Sequence, residues 1–487
     1  MLCSFVVLYL LIVLPEPGLG KQPNILFILA DDFGYNDVSW NNEDVFTPNL
    51  EKLGREGVIL DTYYASTRCS PSRGALLTGL YPHRLGIQRG NIGTFRPTGL
   101  VTDFKTFPEI LQAAGYTTHL VGRWHLGYCH PSYLPTRRGF TTFFGQFSQQ
   151  TDHYSRIYLE NEEIGEGYDL RRGENISYEG AGKYSTHLWR DEAQSLIEGW
   201  NSSNSTPWFL QVSFTAAGAP YQVPESYVKR YKKRRFRNLS EEDTIRYGMI
   251  SAVDSAVGDI VKTLKQRNMF ENTVLVFSSD NGVGGDVGNL PFRGSRGTLW
   301  EGGVRVPALV SSPLLNLDEG YTTRSMVHIT DWFPTLLKLA GVSSDVQTDG
   351  FNIWEALQQR EEFSRNSLVY SLDQDDKSGH LQHGIREKNI KFVWGNPDKF
   401  EVNKRFKKDV YHLFDLEKDP TETENLASQY PELVEKMKEK VKTLVKDVKP
   451  AFQPNRYSLG YPKYHDGVIS TGWCETDWWK ILWRSLN

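Results

Sequence analysis

Two stretches constrain the fold of this 487-residue chain more than any other feature. Pro23-Asn24-Ile25-Leu26-Phe27-Ile28-Leu29-Ala30 and Thr273-Val274-Leu275-Val276-Phe277-Ser278-Ser279 are near-continuous apolar runs without polar alternation. Such a run reads as a strand covered on both faces, as in a parallel sheet between two helical layers. Each run stops at carboxylates: Asp31-Asp32 follow the first, and Asp280-Asn281-Gly282 follow the second. Open α/β sheets bind their ligands at the carboxyl ends of strands. Adjacent carboxylates there repel each other unless a cation lies between them. Taken singly, Asp31-Asp32 also reads as a helix cap or Asx turn, and Asp-Asn-Gly as an ordinary turn. Together, Asp31, Asp32, Asp280 and Asn281 form an all-oxygen donor set for one hard divalent ion, Ca²⁺ ahead of Mg²⁺ in a roomy site.

Between the two runs, helical and strand patterns alternate. A helix opens at Thr47-Pro48 and runs to Glu56, and a strand is expected over Val58 to Tyr64. A helix over Phe107 to Ala114 is stopped by Gly115, and strands follow at Tyr116 to Val121 and Trp208 to Phe214. A long helix covers Glu241 to Gln266. Strands separated by helices imply an α/β fold with a mainly parallel sheet. Beyond Leu339-Ala340-Gly341 the pattern changes to short strands, at Ser367 to Leu372 and Ile390 to Trp394, then a charged amphipathic helix from Pro431 to about Lys446. The length exceeds what one core usually serves. The expected organisation is a catalytic domain over 21–360 and a smaller C-terminal α+β domain over 361–487, with an antiparallel sheet and a helix.

The N-terminus carries an apolar run from Phe5 to Leu14, followed by Pro15-Glu16-Pro17-Gly18-Leu19-Gly20. It is too short for a membrane span and reads as a secretory signal over residues 1–20, although its first residues lack Lys or Arg. No later stretch is apolar and long enough to span. Sequons at Asn175, Asn201, Asn204 and Asn238 fit a secreted or lysosomal glycoprotein. A net charge of −4 gives no general affinity for nucleic acid. The basic run Lys229-Arg230-Tyr231-Lys232-Lys233-Arg234-Arg235-Phe236-Arg237 reads as a solvated face, a processing site, or a rim that attracts polyanionic glycans.

Cys69-Ser70-Pro71-Ser72-Arg73, followed by Gly74 and Thr78-Gly79, is the most specific motif. Pro71 suits a first helical turn, which places Cys69 at a helix N-terminus, with Arg73 one turn on. Read from physics, Cys69 is either a thiolate of lowered pKa or a buried cysteine beside a helix cap. The motif resembles the signature of the type I, formylglycine-dependent sulfatases. Gly122-Arg123-Trp124-His125-Leu126-Gly127 resembles that family's G-K-W-H-L-G segment, and Leu134-Pro135-Thr136-Arg137-Arg138-Gly139-Phe140 is like the arylsulfatase B group. Leu299-Trp300-Glu301-Gly302-Gly303-Val304-Arg305 and Leu413-Phe414-Asp415-Leu416-Glu417-Lys418-Asp419-Pro420 are similar to further family segments.

The resemblance implies an alkaline-phosphatase-like fold that hydrolyses sulfate esters, of aryl sulfates or of sulfated sugars such as glycosaminoglycans. It implies that a formylglycine-generating enzyme converts Cys69, whose aldehyde hydrate completes the metal site and acts as nucleophile. By the same resemblance Arg73, Arg123 and Arg296 neutralise the sulfate, and His125 accepts a proton from residue 69. Three cysteines remain once Cys3 leaves with the signal, so conversion of Cys69 leaves Cys129 and Cys474 to pair.

Three positions depart from the family. Arg123 and Arg296 stand where the family has lysine, keeping the charge but changing a point charge into a planar fork. The family histidine before Gln222-Val223-Pro224, held to protonate the leaving oxygen, falls at Gly218. Its loss is expected to cost poor leaving groups about 10²–10⁴ in rate and phenols less. A histidine restored at 218 is expected to help sugar sulfates, and His153 is the candidate substitute in the native chain. The alternative reading is a secreted homologue that binds sulfated ligands with weak or no turnover.

Overall fold

The two apolar runs lie side by side as parallel strands, Asn24–Ala30 and Thr273–Ser279, in register from Asn24 opposite Thr273 to Ala30 opposite Ser279. This computed structural model describes residues 21–158, 163–200, 206–233, 239–285, 287–363, 365–373, 382–398 and 410–475. Every residue of both strands is buried, and alternate side chains enter different layers. Ile25, Phe27 and Leu29 pack with Leu76 and Leu77 of the Cys69–Thr78 helix and Trp332 and Leu336 of the Trp332–Leu339 helix. Leu26, Ile28 and Ala30 pack with Trp189 and Ile197 of the Ser185–Glu198 helix and with Ile250, Val253 and Val257 of the Glu241–Gln266 helix. Two apolar faces on one strand explain the unbroken hydrophobic run.

The large sheet has ten strands, in the order Tyr321–Thr323, Val58–Leu60, Ala308–Ser311, Thr273–Ser279, Asn24–Ala30, Trp208–Ser213, Thr117–Arg123, Thr142–Gln146, Arg171–Arg172 and Asn175–Ile176. The central strands are parallel, and Ala308–Ser311 runs against both its neighbours. Four parallel strands therefore deliver their C-terminal ends to one edge: residues 31–32, 124–125, 214–218 and 280–281. The expected strand over Val58 to Tyr64 is two strands. Val58–Leu60 joins the large sheet, while Tyr63–Tyr64 pairs with Val327–His328. The break falls at Asp61, whose carboxylate accepts from Tyr35 Oη (2.6 Å) and Arg305 Nη2 (3.1 Å) and so turns the chain.

A second sheet, Ser367–Ser371, Gln382–Glu387, Ile390–Gly395 and Tyr411–Asp415, is antiparallel in chain order. Val434, Met437 and Val441 of the Pro431–Leu444 helix pack on its Ile385, Phe392 and Leu413. The Lys391 ammonium, fully buried, ties this sheet to the larger unit through Glu301 (2.9 Å) and Glu422 (2.8 Å). After the helix the chain returns to the larger unit. Lys449 N donates to His83 O (2.9 Å), Phe452 N to Gly86 O (3.1 Å) and Tyr457 N to Phe95 O (2.8 Å). Cys474 is bonded to Cys129, 345 residues away. No helix among the described residues is long and apolar enough to cross a membrane.

Candidate active site and metal centre

Backbone bonds between strand ends fix the carboxylates. Asp280 N donates to Ala30 O (3.1 Å), Asp31 N to Ala216 O (3.2 Å) and Ala217 N to Asp31 O (2.7 Å). Asp32 adopts a left-handed backbone (φ 56°), uncommon for a non-glycine residue, and its N–H donates to Asp280 Oδ1 (3.2 Å). One ligand atom from each of Asp31, Asp32, residue 69 and Asp280 lies within 4.8 Å of the others, a spread that one ion with bonds of about 2.0–2.6 Å spans. Asn281 Nδ2 donates to Asp32 Oδ1 (2.6 Å), while its fully buried Oδ1 has no hydrogen-bond partner among the described residues. An orphaned buried oxygen beside three buried carboxylates fits a divalent cation, which supplies the partner that Asn281 Oδ1 lacks.

Residue 69 opens the Cys69–Thr78 helix, with Arg68 at the N-cap in extended conformation. Pro71 lies in the first turn, where a missing N–H removes no intrahelical bond. Ser70 Oγ donates to His125 O (2.8 Å) and accepts from Ile92 N (3.1 Å), which locks this turn to two neighbouring segments. Of the two readings of Cys69, the buried cysteine beside a helix cap agrees with the structure and the lowered thiol pKa does not. Burial pushes it well above its ordinary value, the Asp280 and Asp31 carboxylates add to the shift, and Arg123 only partly opposes it. Without a bound cation, a thiol here is neutral.

Each guanidinium is paired with a carboxylate. Arg73 is 2% exposed and uses Nε and Nη2 on Asp280 Oδ2 (3.1 and 2.8 Å), Nη2 also on Asp31 Oδ1 (3.3 Å), and Nη1 on Arg123 O (2.9 Å). It braces the carboxylates and has little left for a substrate. Arg123 Nη1 pairs with Asp31 Oδ2, and its buried Nε has no partner among the described residues. Arg296 Nη1 pairs with Asp32 Oδ2, and the Asp32 charge raises its pKa. With 29% of its side chain exposed, Arg296 stands at the mouth. Desolvation raises the Asp31 pKa, Arg123 opposes that, and the Asp280 and Asp32 charges add to it.

His125 follows the Thr117–Arg123 strand, also with positive φ (57°), and its N–H donates to Phe147 O (3.2 Å). Both ring nitrogens are buried without hydrogen-bond partners among the described residues. Burial, then the charges of Arg123, Arg73 and Arg296, hold its pKa well below the ordinary value, so the ring is neutral.

Gly218 sits where the resemblance asks for an imidazole, but a Cβ built there would meet Asp31 Oδ2 at 2.2 Å. The expectation that a restored histidine would help is therefore corrected: the side chain would displace a proposed metal ligand. His153 lies next to the same spot, with Nε2 3.3 Å from Gly218 O and Nδ1 2.6 Å from Ser185 Oγ. Burial lowers its pKa to about 4. Asn175 is exposed at the sheet edge, whereas Asn201, Asn204 and Asn238 lie outside the described residues. Of the basic run, Arg230 covers the Phe46 ring and Tyr231 is buried, and residues 234–238 are outside the described set. Sequence reasoning missed Arg68 and Ser70 as parts of the site; both sit inside or beside the cysteine motif.

A mainly parallel sheet with an acidic cluster at its strand ends, facing a residue at a helix N-terminus, is the arrangement of an alkaline-phosphatase-like fold, as its structural neighbours bear out. The sulfatase family profile matches residues 23–342, and an N-sulphoglucosamine sulphohydrolase C-terminal profile matches residues 295–447. The chain is 33% identical to mouse arylsulfatase J over 497 aligned residues, covering 93% of this chain and 81% of that protein. It is 31% identical to human N-acetylgalactosamine-6-sulfatase, covering 73% of this chain and 70% of that one. The crystal structure of Ps i-CgsB in complex with k-i-k-neocarrahexaose superposes with a TM-score of 0.76 at 26% identity, covering 96% of this chain and 97% of that one. The chain belongs to the sulfatase family and is a sulfuric ester hydrolase.

Proposed function

We propose that this chain hydrolyses sulfate esters of a sulfated sugar at a site built from Asp31, Asp32, Asp280, Asn281 and residue 69, with Ca²⁺ as the ion and Cys69 converted to formylglycine. The convergence of three buried strand-end carboxylates on residue 69, beside the orphaned Asn281 Oδ1, carries this reading. The ion would acidify a hydroxyl of hydrated residue 69 and so supply the nucleophile. Arg73 holds Asp31 and Asp280 in place. Arg123 and Arg296 offer bidentate forks to sulfate oxygens when released from Asp31 and Asp32. His125, neutral and unpartnered, takes a proton from residue 69. Residues 21–360 form the catalytic domain and 361–487 the smaller one. A signal over 1–20, the sequons and the Cys129–Cys474 bond support a reading in which the enzyme travels the secretory pathway, secreted or lysosomal, and meets a formylglycine-generating enzyme there.

Protonation of the leaving oxygen is the slow part of this site. No side chain occupies 218, and His153 is neutral near pH 6 because burial holds its pKa to about 4. Aryl sulfates should therefore turn over faster than alkyl sugar sulfates of equal affinity, by a factor on the order of 10². The first test is the mass of the tryptic peptide containing residue 69 from secreted protein, where conversion removes about 18 Da from the cysteine. A surviving thiol in a protein without turnover favours the ligand-binding homologue instead. Full turnover with an intact thiol would refute the mechanism. Chelation followed by Ca²⁺ or Mg²⁺ addition identifies the ion, and equal recovery with both would contradict the Ca²⁺ assignment.

A further inference from the structure

Beside residue 69 lies a second cavity of about 260 Å³ that no part of the proposed chemistry uses. Arg68, Arg89, Arg96 and Arg456 line it together with Gln149 and Gln453, and no carboxylate is among its lining residues in the described part of the chain. Arg89 is balanced by Asp373. Arg68 is the N-cap of the helix that residue 69 opens, so it belongs to both the cavity wall and the rim of the candidate active site.

The wall is built and tethered to the site. Asn91, another lining residue, accepts from Ser70 N (3.1 Å), and Ile92 N donates to Ser70 Oγ (3.1 Å), so the 89–96 loop is joined to the residue after the proposed nucleophile. Arg96 Nη1 donates to Pro454 O (2.8 Å), which holds the returning C-terminal segment, with Gln453 and Arg456, against that loop. Thr94 also lines the cavity, 3% exposed, with a buried hydroxyl that has no hydrogen-bond partner among the described residues. A pocket of amide and guanidinium donors suits an oxyanion.

We infer that this cavity binds a second oxyanion of the same substrate, a carboxylate or a further sulfate on the sugar adjoining the scissile ester. The inference rests on the sulfatase reading and narrows it to multiply anionic glycans. Binding energy from that remote group would offset the missing leaving-group acid, as remote contacts do when they are used to hold the reacting bond in place. The C-terminal segment then serves recognition as well as packing.

The test compares wild type with Arg456→Gln and with the double variant Arg96→Gln/Arg456→Gln. The substrates are a fluorogenic aryl sulfate, a monosulfated N-acetylhexosamine disaccharide, and the same disaccharide with either a uronate or a second sulfate on the neighbouring sugar. In wild type, kcat/KM for either doubly anionic disaccharide should exceed that of the monosulfated one by about tenfold or more. Most of that preference should vanish in the double variant, mainly through KM, and it should fall with added salt. The uronate and disulfated arms identify which oxyanion is held. A wild-type enzyme that treats all disaccharides alike, or variants that retain the full preference, would overturn the inference while leaving the sulfatase reading intact. If no sulfate ester is turned over, calorimetric binding of the same disaccharides to wild type and Arg456→Gln decides the question separately, and equal affinities would refute it. Arg456 is exposed, so its single variant is expected to fold.

Discussion

Gly218→Ala is the sharpest test of the site geometry, because one methyl group reaches it. The added Cβ would lie 2.2 Å from Asp31 Oδ2, more than an ångström inside ordinary contact. Asp31 cannot retreat freely, since Arg123 pairs with that same oxygen and Arg73 Nη2 donates to the other one (3.3 Å). Its backbone is also fixed by Ala216 O and Ala217 N. Turning the carboxylate away disturbs one or two charge-assisted hydrogen bonds, each worth about 1.5–3 kcal/mol. A loss of about 2–4 kcal/mol in unfolding free energy follows, together with a roughly 10–100-fold weaker hold on the ion, the usual effect of disturbing groups that orient a ligand. Urea unfolding gives the first quantity, and activity recovered during divalent-ion titration of chelated protein gives the second. Gly218→His should be at least as damaging, on sugar and aryl sulfates alike. A Gly218→Ala enzyme with wild-type stability and ion dependence would show that Asp31 is not held where these contacts place it.

Other perturbations probe the rest of the molecule. His119, buried at the base of a central strand, has its pKa lowered to about 4 by burial. A histidine whose folded pKa is depressed binds its proton more readily when unfolded, so its contribution is intact above about pH 6.5 and declines toward pH 4, by roughly 2–3 kcal/mol. His119→Leu should flatten the fall of melting temperature over that window, and an unchanged slope would refute the assignment. Lys391→Met removes the cation that Glu301 and Glu422 share, leaving Arg305 3.9 Å from Glu301, at a cost of about 3–5 kcal/mol. Burial already raises the Glu422 pKa to about 7, so the variant should be less impaired at pH 5 than at pH 8 when unfolded in urea. Cys474→Ser removes a cross-link spanning 345 residues and should cost about 2–5 kcal/mol, read as a lower melting temperature under non-reducing conditions only.

The parallel core was legible because each of its strands is covered twice, so hydrophobicity alone writes it into the sequence. Ile25 and Leu26 enter opposite layers, yet both must be apolar. The strand Gln382–Glu387 was not legible. Its residues Gln382, His383, Gly384, Arg386 and Glu387 carry little apolar signal, and its place is set by pairing with Ser367–Ser371 and Ile390–Gly395 on either side. Val58 to Tyr64 misled for the opposite reason: one apolar run serves two sheets, and the turn depends on partners for Asp61 at Tyr35 and Arg305, far away in sequence. The acidic ligand set could be read because its members sit directly after strands. The second cavity could not, because Arg68, Arg96 and Arg456 meet only when the C-terminal segment folds back.

Cys69 shows how a local rule fails when the surroundings carry more charge than the rule counts. A helix N-terminus offers about half a positive charge, and Arg73 one full charge, so the local sequence argues for a thiolate. The fold answers with complete burial and with Asp31, Asp32 and Asp280, while Arg73 spends its donors on two of those carboxylates rather than on the sulfur. Burial first and the negative charges second outweigh the nearby cations, and without a bound ion the thiol stays protonated. Such a site leaves a thiol protonated unless a cation binds it. It suits a residue 69 that brings oxygen ligands to a cation, and that is the chemistry the sulfatase family's formylglycine provides. Stability and divalent-ion affinity of Cys69→Ser, compared with Cys69→Ala, test the point without turnover. The serine oxygen should bind the ion measurably tighter than alanine, and equal affinities would mean that position 69 does not face the ion.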